Sequence, residues 1–207
     1  MVRSAGDAGQ REGSRGVSEM KVDGFERALS HVLGSPREEG RVEMVVRRPA
    51  EGEREVLTEA RIEPGLGVVG DRWIAKPTRS PEAEVTLMNA RCIAMLAGEV
   101  DRWPLAGDQL YVDFDLSVEH LPPGARLEVG EAVLQVSEKP HRGCAKFSAR
   151  FGSGALRLVR SDEGMAARLR GMNARVVHGG VVRTGDPITK LDDDGRDHGR
   201  GDGRGPA

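Results

Sequence analysis

Short apolar runs separated by glycine, proline, aspartate and asparagine dominate the middle of the chain. Runs of this kind, bounded by turn-forming residues, are typical of β-strands. Strands are predicted at residues 41–48, 55–62, 85–88, 110–114, 126–129, 132–137, 173–177, 181–183 and 187–190. Two glycine-containing connections, Gly130-Glu131 and Gly179-Gly180, are predicted to be hairpin turns. Many short strands with regular turns indicate a barrel or a sandwich.

Apolar residues follow helical spacing in three stretches. Residues 20–33 carry apolar side chains at intervals of three and four, which predicts a helix. Asn89 is a suitable N-cap for a second helix that runs to residue 96. A third helix is predicted to begin near Ala145 and to continue past a break at Gly152-Ser153-Gly154 as far as residue 159. The predicted fold class is therefore mainly β with a few helices (α+β).

The two ends of the chain differ in composition from its middle. Residues 1–18 are rich in glycine, serine and charge, and residues 191–207 form an acidic, glycine-rich segment. Neither segment contains enough apolar surface to offset the entropy lost on ordering. We therefore expect disordered tails at 1–18 and 191–207, on either side of a single domain at 19–190.

Composition narrows the classes of partner. The 207 residues have a formal net charge of -2 and only 3% aromatic side chains, so nucleic acid is not an expected partner. No run approaches the roughly 18 apolar residues of a membrane span, and the first 20 residues lack the apolar core of a secretory signal. Two cysteines do not make a disulfide framework. We expect a cytoplasmic protein that binds neither nucleic acid nor membranes.

The segment KPHRGCAKF, residues 139–147, contains the best candidate for a reactive group. Its Cys144 follows a predicted strand and lies in a loop with proline and glycine. The thiolate is the nucleophilic and metal-binding form of cysteine, and nearby cations lower the pKa that controls it. His141, Arg142 and Lys146 are the predicted sources of that positive field, and His141 is a candidate for a thiolate–imidazolium pair. The alternative is a buried, inert thiol that packs as a small apolar residue.

Other motifs carry less information on their own. Asp71 and Arg72 either orient a polar ligand or pair with each other in a structural turn. The amide and carboxylate of the sequence Gly107-Asp108-Gln109 could hydrogen-bond a heterocycle. Cys92 lies in an apolar helical stretch and is predicted to be structural. The histidines do not have the spacing of a zinc site, so zinc is not expected.

Taken in order, these pieces resemble a MOSC domain. The motifs are GLGVVGDR at 65–72, GDQL at 107–110, LPPGARLEVG at 121–130, the Cys144 loop, and GMNARVVHGGVVRTGD at 171–186. This module occurs at the C-terminus of molybdenum cofactor sulfurases, in the mitochondrial amidoxime-reducing component, and in bacterial proteins that detoxify N-hydroxylated purines. The resemblance covers about residues 41–190 and implies a closed, mostly β barrel.

The resemblance also implies a cofactor and a set of site residues. In the catalytic relatives the loop cysteine binds molybdenum held by a pterin dithiolene, so Cys144 is the expected metal ligand. Basic groups are expected to hold the pterin phosphate. The implied cofactor-binding residues are Arg142, Lys146, Arg72, Asn173 and Arg175. The family is further associated with pyridoxal phosphate, at the level of the family only.

Two main functions stay open. The first is reduction of a small N-hydroxylated or N-oxide substrate, with electrons from a separate donor protein. The second is a carrier that uses the same cysteine for a persulfide or for the molybdenum cofactor; a binding module without chemistry is a third. Two departures from the bacterial relatives leave the substrate open. The residues after Gly70-Asp71-Arg72 are WIAKP rather than an HGG motif, and GDQL replaces GENL.

Overall fold

The structure of the chain, a computed structural model, describes residues 22–192. The predicted tail at 1–18 lies outside the described residues, as does the predicted tail at 191–207 apart from its first two residues. Leu191 ends a β-strand, so the folded part extends one residue beyond the predicted boundary at 190.

The described part contains four helices and eleven strands. The helices are α1 (Val22–Leu33), α2 (Ala90–Ala97), α3 (Ala145–Arg160) and α4 (Asp162–Ala166). The strands are β1 (Glu39–Arg47), β2 (Glu55–Leu57), β3 (Glu59–Glu63), β4 (Gly67–Val68), β5 (Val85–Asn89), β6 (Leu110–Asp113), β7 (Arg126–Val129), β8 (Ala132–Val136), β9 (Met172–His178), β10 (Gly180–Arg183) and β11 (Pro187–Leu191). Three 3₁₀ helices, Arg72–Ala75, Pro81–Ala83 and Val100–Ala106, lie in the connections.

Seven strands form a closed barrel, which confirms the predicted fold class. Their order is β11-β7-β8-β9-β5-β6-β1, and β11 pairs with β1 to complete the ring. Neighbouring strands are antiparallel except β5 and β6, which run parallel. At the closure Gly40 lies opposite Ile188, where a larger side chain would meet the backbone of Asp113. Closure removes the unpaired edges that an open sheet exposes.

Two apolar cores lie on opposite faces of the barrel wall. Leu87 and Leu110 belong to the core inside the barrel. The residues that follow them, Met88 and Tyr111, belong to a second core formed with α2 and α3. Because both faces of β5 are covered, all five of its residues are buried. This is consistent with its sequence, VTLMN, which does not alternate strictly between apolar and polar residues.

The helix signals in the sequence are confirmed in detail. The Asn89 side chain accepts a hydrogen bond from the Cys92 amide at 3.0 Å and caps α2. Gly98 ends that helix with a φ of 72°. The predicted break in α3 falls at Gly152, whose φ of 89° is outside the helical region. Ends and breaks of this kind depend on a few neighbouring residues, which is why the sequence predicts them.

One predicted hairpin is confirmed and the other is wrong. Gly130 lies in the turn between β7 and β8, which pair directly. At Gly179-Gly180, by contrast, the chain leaves the barrel. Strand β9 pairs with β8 and β5, whereas β10 joins β3 in a separate three-stranded sheet. Gly180 is required by close packing, because a side chain there would meet the backbone of Glu131.

Candidate functional site at the Cys144 loop

The loop between β8 and α3 is held in place at both ends. Asn173, on the neighbouring strand β9, donates a hydrogen bond to the Lys139 carbonyl at 3.0 Å. Arg160, in the last turn of α3, donates from Nε to the Gly143 carbonyl at 3.1 Å. Gly143 itself is buried against the Leu156 side chain, whose end would have to move to make room for a larger residue there. The loop therefore delivers Cys144 to a fixed place.

Cys144 occupies the N-cap of α3, with an extended backbone conformation and an exposed side chain. Its thiol makes no capping hydrogen bond of ordinary geometry. The amides of the first helical turn nevertheless lie close to the sulfur and favour a negative charge on it. Exposure excludes the alternative of a thiol sealed in packed apolar groups.

The surroundings of Cys144 lower the pKa of its thiol. Partial burial is the largest influence and raises the pKa, but the opposing influences together outweigh it. These are the backbone amides of Phe147 and Lys146, followed by the charges of Arg170 and Arg150. The predicted source of the positive field was thus only partly right. Lys146 contributes through its backbone, and the main cations are Arg170, from a distant segment, and Arg150, from the helix that Cys144 caps.

The predicted thiolate–imidazolium pair is not formed. The His141 ring lies 3.4 Å from the buried carboxylate of Asp108, measured from Nδ1 to Oδ1. Burial, followed by the charge of Arg170, lowers the pKa of His141 to about 3, although Asp108 opposes this shift. The ring is therefore neutral near pH 7 and supplies no positive charge to Cys144.

Asp108 is the centre of a buried polar cluster beneath the loop. Arg170 donates from Nη1 to its carboxylate at 2.7 Å and from Nη2 to the Ala106 carbonyl at 2.9 Å. The same guanidinium lies 5.0 Å from the centroid of the Phe147 ring, in the first turn of α3. The cluster connects the strand that begins at Leu110 with the helix that carries Cys144.

A cavity of about 260 Å³ opens beside this loop, and we call it the basic cavity. Its lining residues are Arg48, Trp73, Lys76, Thr78, Arg79, Ser80, Ala83, Thr86, Lys139 and His141. The charged side chains among them are all cationic. This composition favours an anionic ligand, and Trp73, which is largely buried, adds an aromatic ring to the cavity wall.

Lys76 is the cation best placed to meet a ligand in the basic cavity. No hydrogen bond or ion pair joins its ammonium to any residue between 22 and 192, whereas Arg48 is held by Asp71 at 2.9 Å. Desolvation, followed by the charges of Arg48 and Arg72, lowers the pKa of Lys76. The negative charge of a bound anion would favour the charged form of Lys76 and so oppose this lowering of its pKa.

The sequence of the chain matches the model of a known family. The family model described as "MOSC domain" matches residues 76–189, which is more than half of the chain. The chain is a member of the MOSC domain family. No curated protein sequence matches this MOSC chain.

Solved structures of other proteins share the fold. The YuaD protein from Bacillus subtilis is 18% identical, with a TM-score of 0.55 over 74% of this chain and 96% of that chain. YiiM from Escherichia coli is 21% identical, with a TM-score of 0.51 over 73% of this chain and 70% of that chain. YiiM from Geobacillus stearothermophilus is 13% identical, with the same TM-score over 74% and 75%. At these identities the likeness shows the fold alone.

Two of the cations that the MOSC resemblance implies are brought together by a carboxylate. Glu51, in the loop between β1 and β2, lies 2.6 Å from Lys146 Nζ and 3.8 Å from Arg72 Nη2. Both cations also act electrostatically on Lys76. Arg72 and Lys146 therefore share one carboxylate and lie within electrostatic range of Lys76, which lines the basic cavity.

The other three implied residues have different settings. Asn173 donates a hydrogen bond to the Lys139 carbonyl and so helps to hold the loop. Arg142 is exposed, and no hydrogen bond or ion pair joins it to a residue in the described range 22–192. Arg175 is exposed on β9 and donates a hydrogen bond to Gln135 at 2.6 Å. It is not among the residues that line the basic cavity.

The sequence gives no signal for Arg48 and Lys76, and it does not identify the partner of Asp71. Asp71 was expected to pair with Arg72 or a ligand, but it binds Arg48 through both oxygens and caps the 3₁₀ helix at Trp73. Arg48 and Lys76 reach the basic cavity from segments far apart in the chain. Their proximity follows from the barrel, and no local pattern marks it.

Two features are absent from the described residues: a cluster of metal ligands and a helix that could span a membrane. Within residues 22–192 no group of three or more histidine, cysteine, aspartate or glutamate side chains is placed to hold a metal ion. In the same range no helix has the length and apolar content needed to cross a bilayer.

The two cysteines are expected to react very differently. Iodoacetamide should modify Cys144 in the native protein, with a pH midpoint below that of an ordinary thiol, because its thiolate is favoured and exposed. Cys92 should remain unmodified, since it is buried and burial raises its pKa to about 12. Mass spectrometry after a timed pulse measures both, with Cys144→Ser as the control. Equal labelling of the two cysteines would contradict the assignment.

Acid should destabilise the fold through His141. Its pKa is lowered from 6.5 in the unfolded chain to about 3 in the native state, so only the unfolded state takes up a proton as the pH falls from 6.5 towards 3. The free energy of unfolding should then decrease by up to about 1.4 kcal/mol per pH unit from this group. Urea unfolding of His141→Gln should show a shallower slope in this window, whereas His178→Gln, at an exposed position, should not. If His141→Gln and His178→Gln show the same pH dependence of the free energy of unfolding, the buried neutral ring of His141 would be refuted.

Proposed function

We propose that this MOSC domain binds the molybdenum cofactor through Cys144 and uses it to reduce N-hydroxylated or N-oxide compounds. The observation that carries the proposal is an exposed thiol of lowered pKa, at a helix N-terminus, in the same loop as His141, which lines a cavity whose charged side chains are all cationic. A soft metal prefers a thiolate ligand, and a phosphorylated cofactor needs positive charge nearby.

The residues present are suited to such a cofactor. Cys144 offers a thiolate to the metal without rearrangement, because the loop is fixed by Asn173 and Arg160. Lys76, which has no anionic partner in the range 22–192, would bind the phosphate together with Arg79 at the cavity wall. When bound, the cofactor would supply the redox centre at which the substrate loses its oxygen as water, with two electrons from a separate donor protein and two protons.

The chain itself would have three tasks. Cys144 would fix the cofactor, the cations would hold its phosphate, and Trp73 would cover one face of a flat ring in the basic cavity. The family's association with pyridoxal phosphate is left out of the proposal, because it does not account for the exposed thiol at residue 144.

A carrier of sulfur or cofactor is the second candidate. The same observation favours it, since an accessible thiol of low pKa also accepts a sulfur atom as a persulfide. The enzyme and a persulfide carrier differ in what the purified protein retains. An enzyme retains molybdenum and pterin in equal amounts, whereas a persulfide carrier retains one extra sulfur on Cys144 without metal.

The first test measures metal and pterin in protein purified from its own host. The wild type should contain both, and Cys144→Ala should lose nearly all of the molybdenum because the metal loses its protein ligand. Cys92→Ala is the matched control, and it should keep the metal since its thiol lies in the apolar core. Equal molybdenum in the wild type and Cys144→Ala would overturn the proposed ligand, and a persulfide without metal would favour the carrier.

The second test uses Glu51, whose negative charge acts on Lys76 as well as on Lys146 and Arg72, the cations that the MOSC resemblance implies for the cofactor. The hydrogen bond and charge of Lys146, followed by the charge of Arg72, lower the pKa of Glu51, so it is a carboxylate at neutral pH. Glu51→Gln should bind inorganic phosphate about two- to fivefold more tightly in calorimetry, because an exposed ion pair is weak and its loss frees both cations. Glu53→Gln, two residues further along the same loop, should bind like the wild type. Weaker phosphate binding by Glu51→Gln would place the anion elsewhere.

A further inference from the structure

His141 is a buried polar residue that the proposed function does not use. It lines the basic cavity and also a second cavity of about 140 Å³ on the other side of the loop. Lys139 lines both cavities too, so residues 139–141 form the wall between them. A group at that position can present polar atoms to a ligand in the basic cavity.

The proton on the ring is placed by Asp108. His141 Nδ1 and Asp108 Oδ1 lie 3.4 Å apart without the geometry of a hydrogen bond, and neither atom has a hydrogen-bond partner among the described residues. A neutral imidazole carries one proton, and a carboxylate favours that proton on the nitrogen which faces it. Arg170 fixes the carboxylate from the opposite side at 2.7 Å. Nδ1 is therefore the protonated nitrogen, and Nε2 carries a free lone pair.

This lone pair is unusual among the charged and aromatic groups of the basic cavity. Arg48, Lys76 and Arg79 can only donate hydrogen bonds, and Trp73 offers an aromatic ring. No hydrogen bond occupies His141 Nε2 within residues 22–192. The cavity thus combines positive charge, a stacking surface and an imidazole acceptor, which together suit a phosphorylated nitrogen heterocycle with an N–H group on its edge.

We propose that His141 is a specificity-determining residue of the basic cavity, whose Nε2 accepts a hydrogen bond from the N–H edge of a phosphorylated nitrogen heterocycle while Asp108 holds the proton on Nδ1. The position of the proton follows from the Asp108 contact alone. The identity of the heterocycle rests on the proposed function, since both a pterin cofactor and a nucleotide substrate have this chemistry.

The first experiment reads the ring directly in the wild-type protein. Nitrogen-15 NMR of histidine-labelled protein should show His141 with a protonated Nδ1 and a bare Nε2. A ring protonated on Nε2, or on both nitrogens at pH 7, would overturn the proposal. Because no substitution is involved, this result does not depend on the folding of a variant.

The second experiment tests recognition with two probes that differ in one donor. Adenosine 5′-monophosphate carries an exocyclic amino group, and purine riboside 5′-monophosphate lacks it. The wild type should prefer the first by about fivefold in calorimetry, the value of one neutral hydrogen bond. His141→Phe, which keeps a ring but has no acceptor, should lose this preference and still bind inorganic phosphate like the wild type. Equal affinity of the wild type for both nucleotides, or no binding of either, would overturn the assignment.

A third arm separates the two sources of the heterocycle. A shift of the Nε2 signal on loading with the molybdenum cofactor, before any nucleotide is added, identifies the pterin as the partner. A shift that appears only with adenosine 5′-monophosphate identifies a substrate. An Nε2 signal that responds to neither would place the lone pair in the 140 Å³ cavity and would refute the proposal. Molybdenum content, measured on the same samples, reports separately on the proposed function.

Discussion

The buried ion pair between Arg170 and Asp108 is the interaction on which the candidate site depends. Arg170 reaches from the segment before β9 to the carboxylate that precedes β6, and its guanidinium also contacts the Phe147 ring at the start of α3. Three parts of the chain that are far apart in sequence meet at this one side chain. Its charge acts on Cys144 above it and on His141 beside it, in each case lowering the pKa. Removal of either partner would leave the other charged and buried, which typically costs about 3–5 kcal/mol.

Local features of the fold could be predicted from the sequence because a few neighbouring residues decide them. The cap at Asn89 and the helix break at Gly152 need only the chemistry of one side chain and one glycine. Gly179-Gly180 was misread because a hairpin and a tight contact between two sheets both require glycine. The sequence cannot distinguish these two demands, since the decisive neighbour, Glu131, lies almost fifty residues away. Family resemblance supplied the barrel, and the strands then fell close to their predicted positions.

The residues of the site also divide into those that the sequence could predict and those that it could not. Cys144 could be singled out because its loop, its flanking glycine and the helix that follows are all contiguous. The cavity could not, because Arg48 and Lys76 approach one another only through pairing between strands and a 3₁₀ turn. The sequence placed the positive field on residues adjacent to Cys144, whereas much of it comes from Arg170 and Arg150. Proximity along the chain is a fair guide to what positions a thiol and a poor guide to what surrounds it.

The order in which the ribosome makes the chain gives the closure of the barrel a further meaning. Strand β11, at residues 187–191, is inserted between β7 and β1, which are made much earlier. Until it emerges, β7 has no partner on one edge, and residues 39–41 of β1 have none on the edge that β11 later occupies. A nascent or truncated chain therefore exposes unpaired backbone N–H and C=O groups that chaperones and other chains can bind. Synthesis of the five residues of β11 allows these edges to pair and the barrel to close.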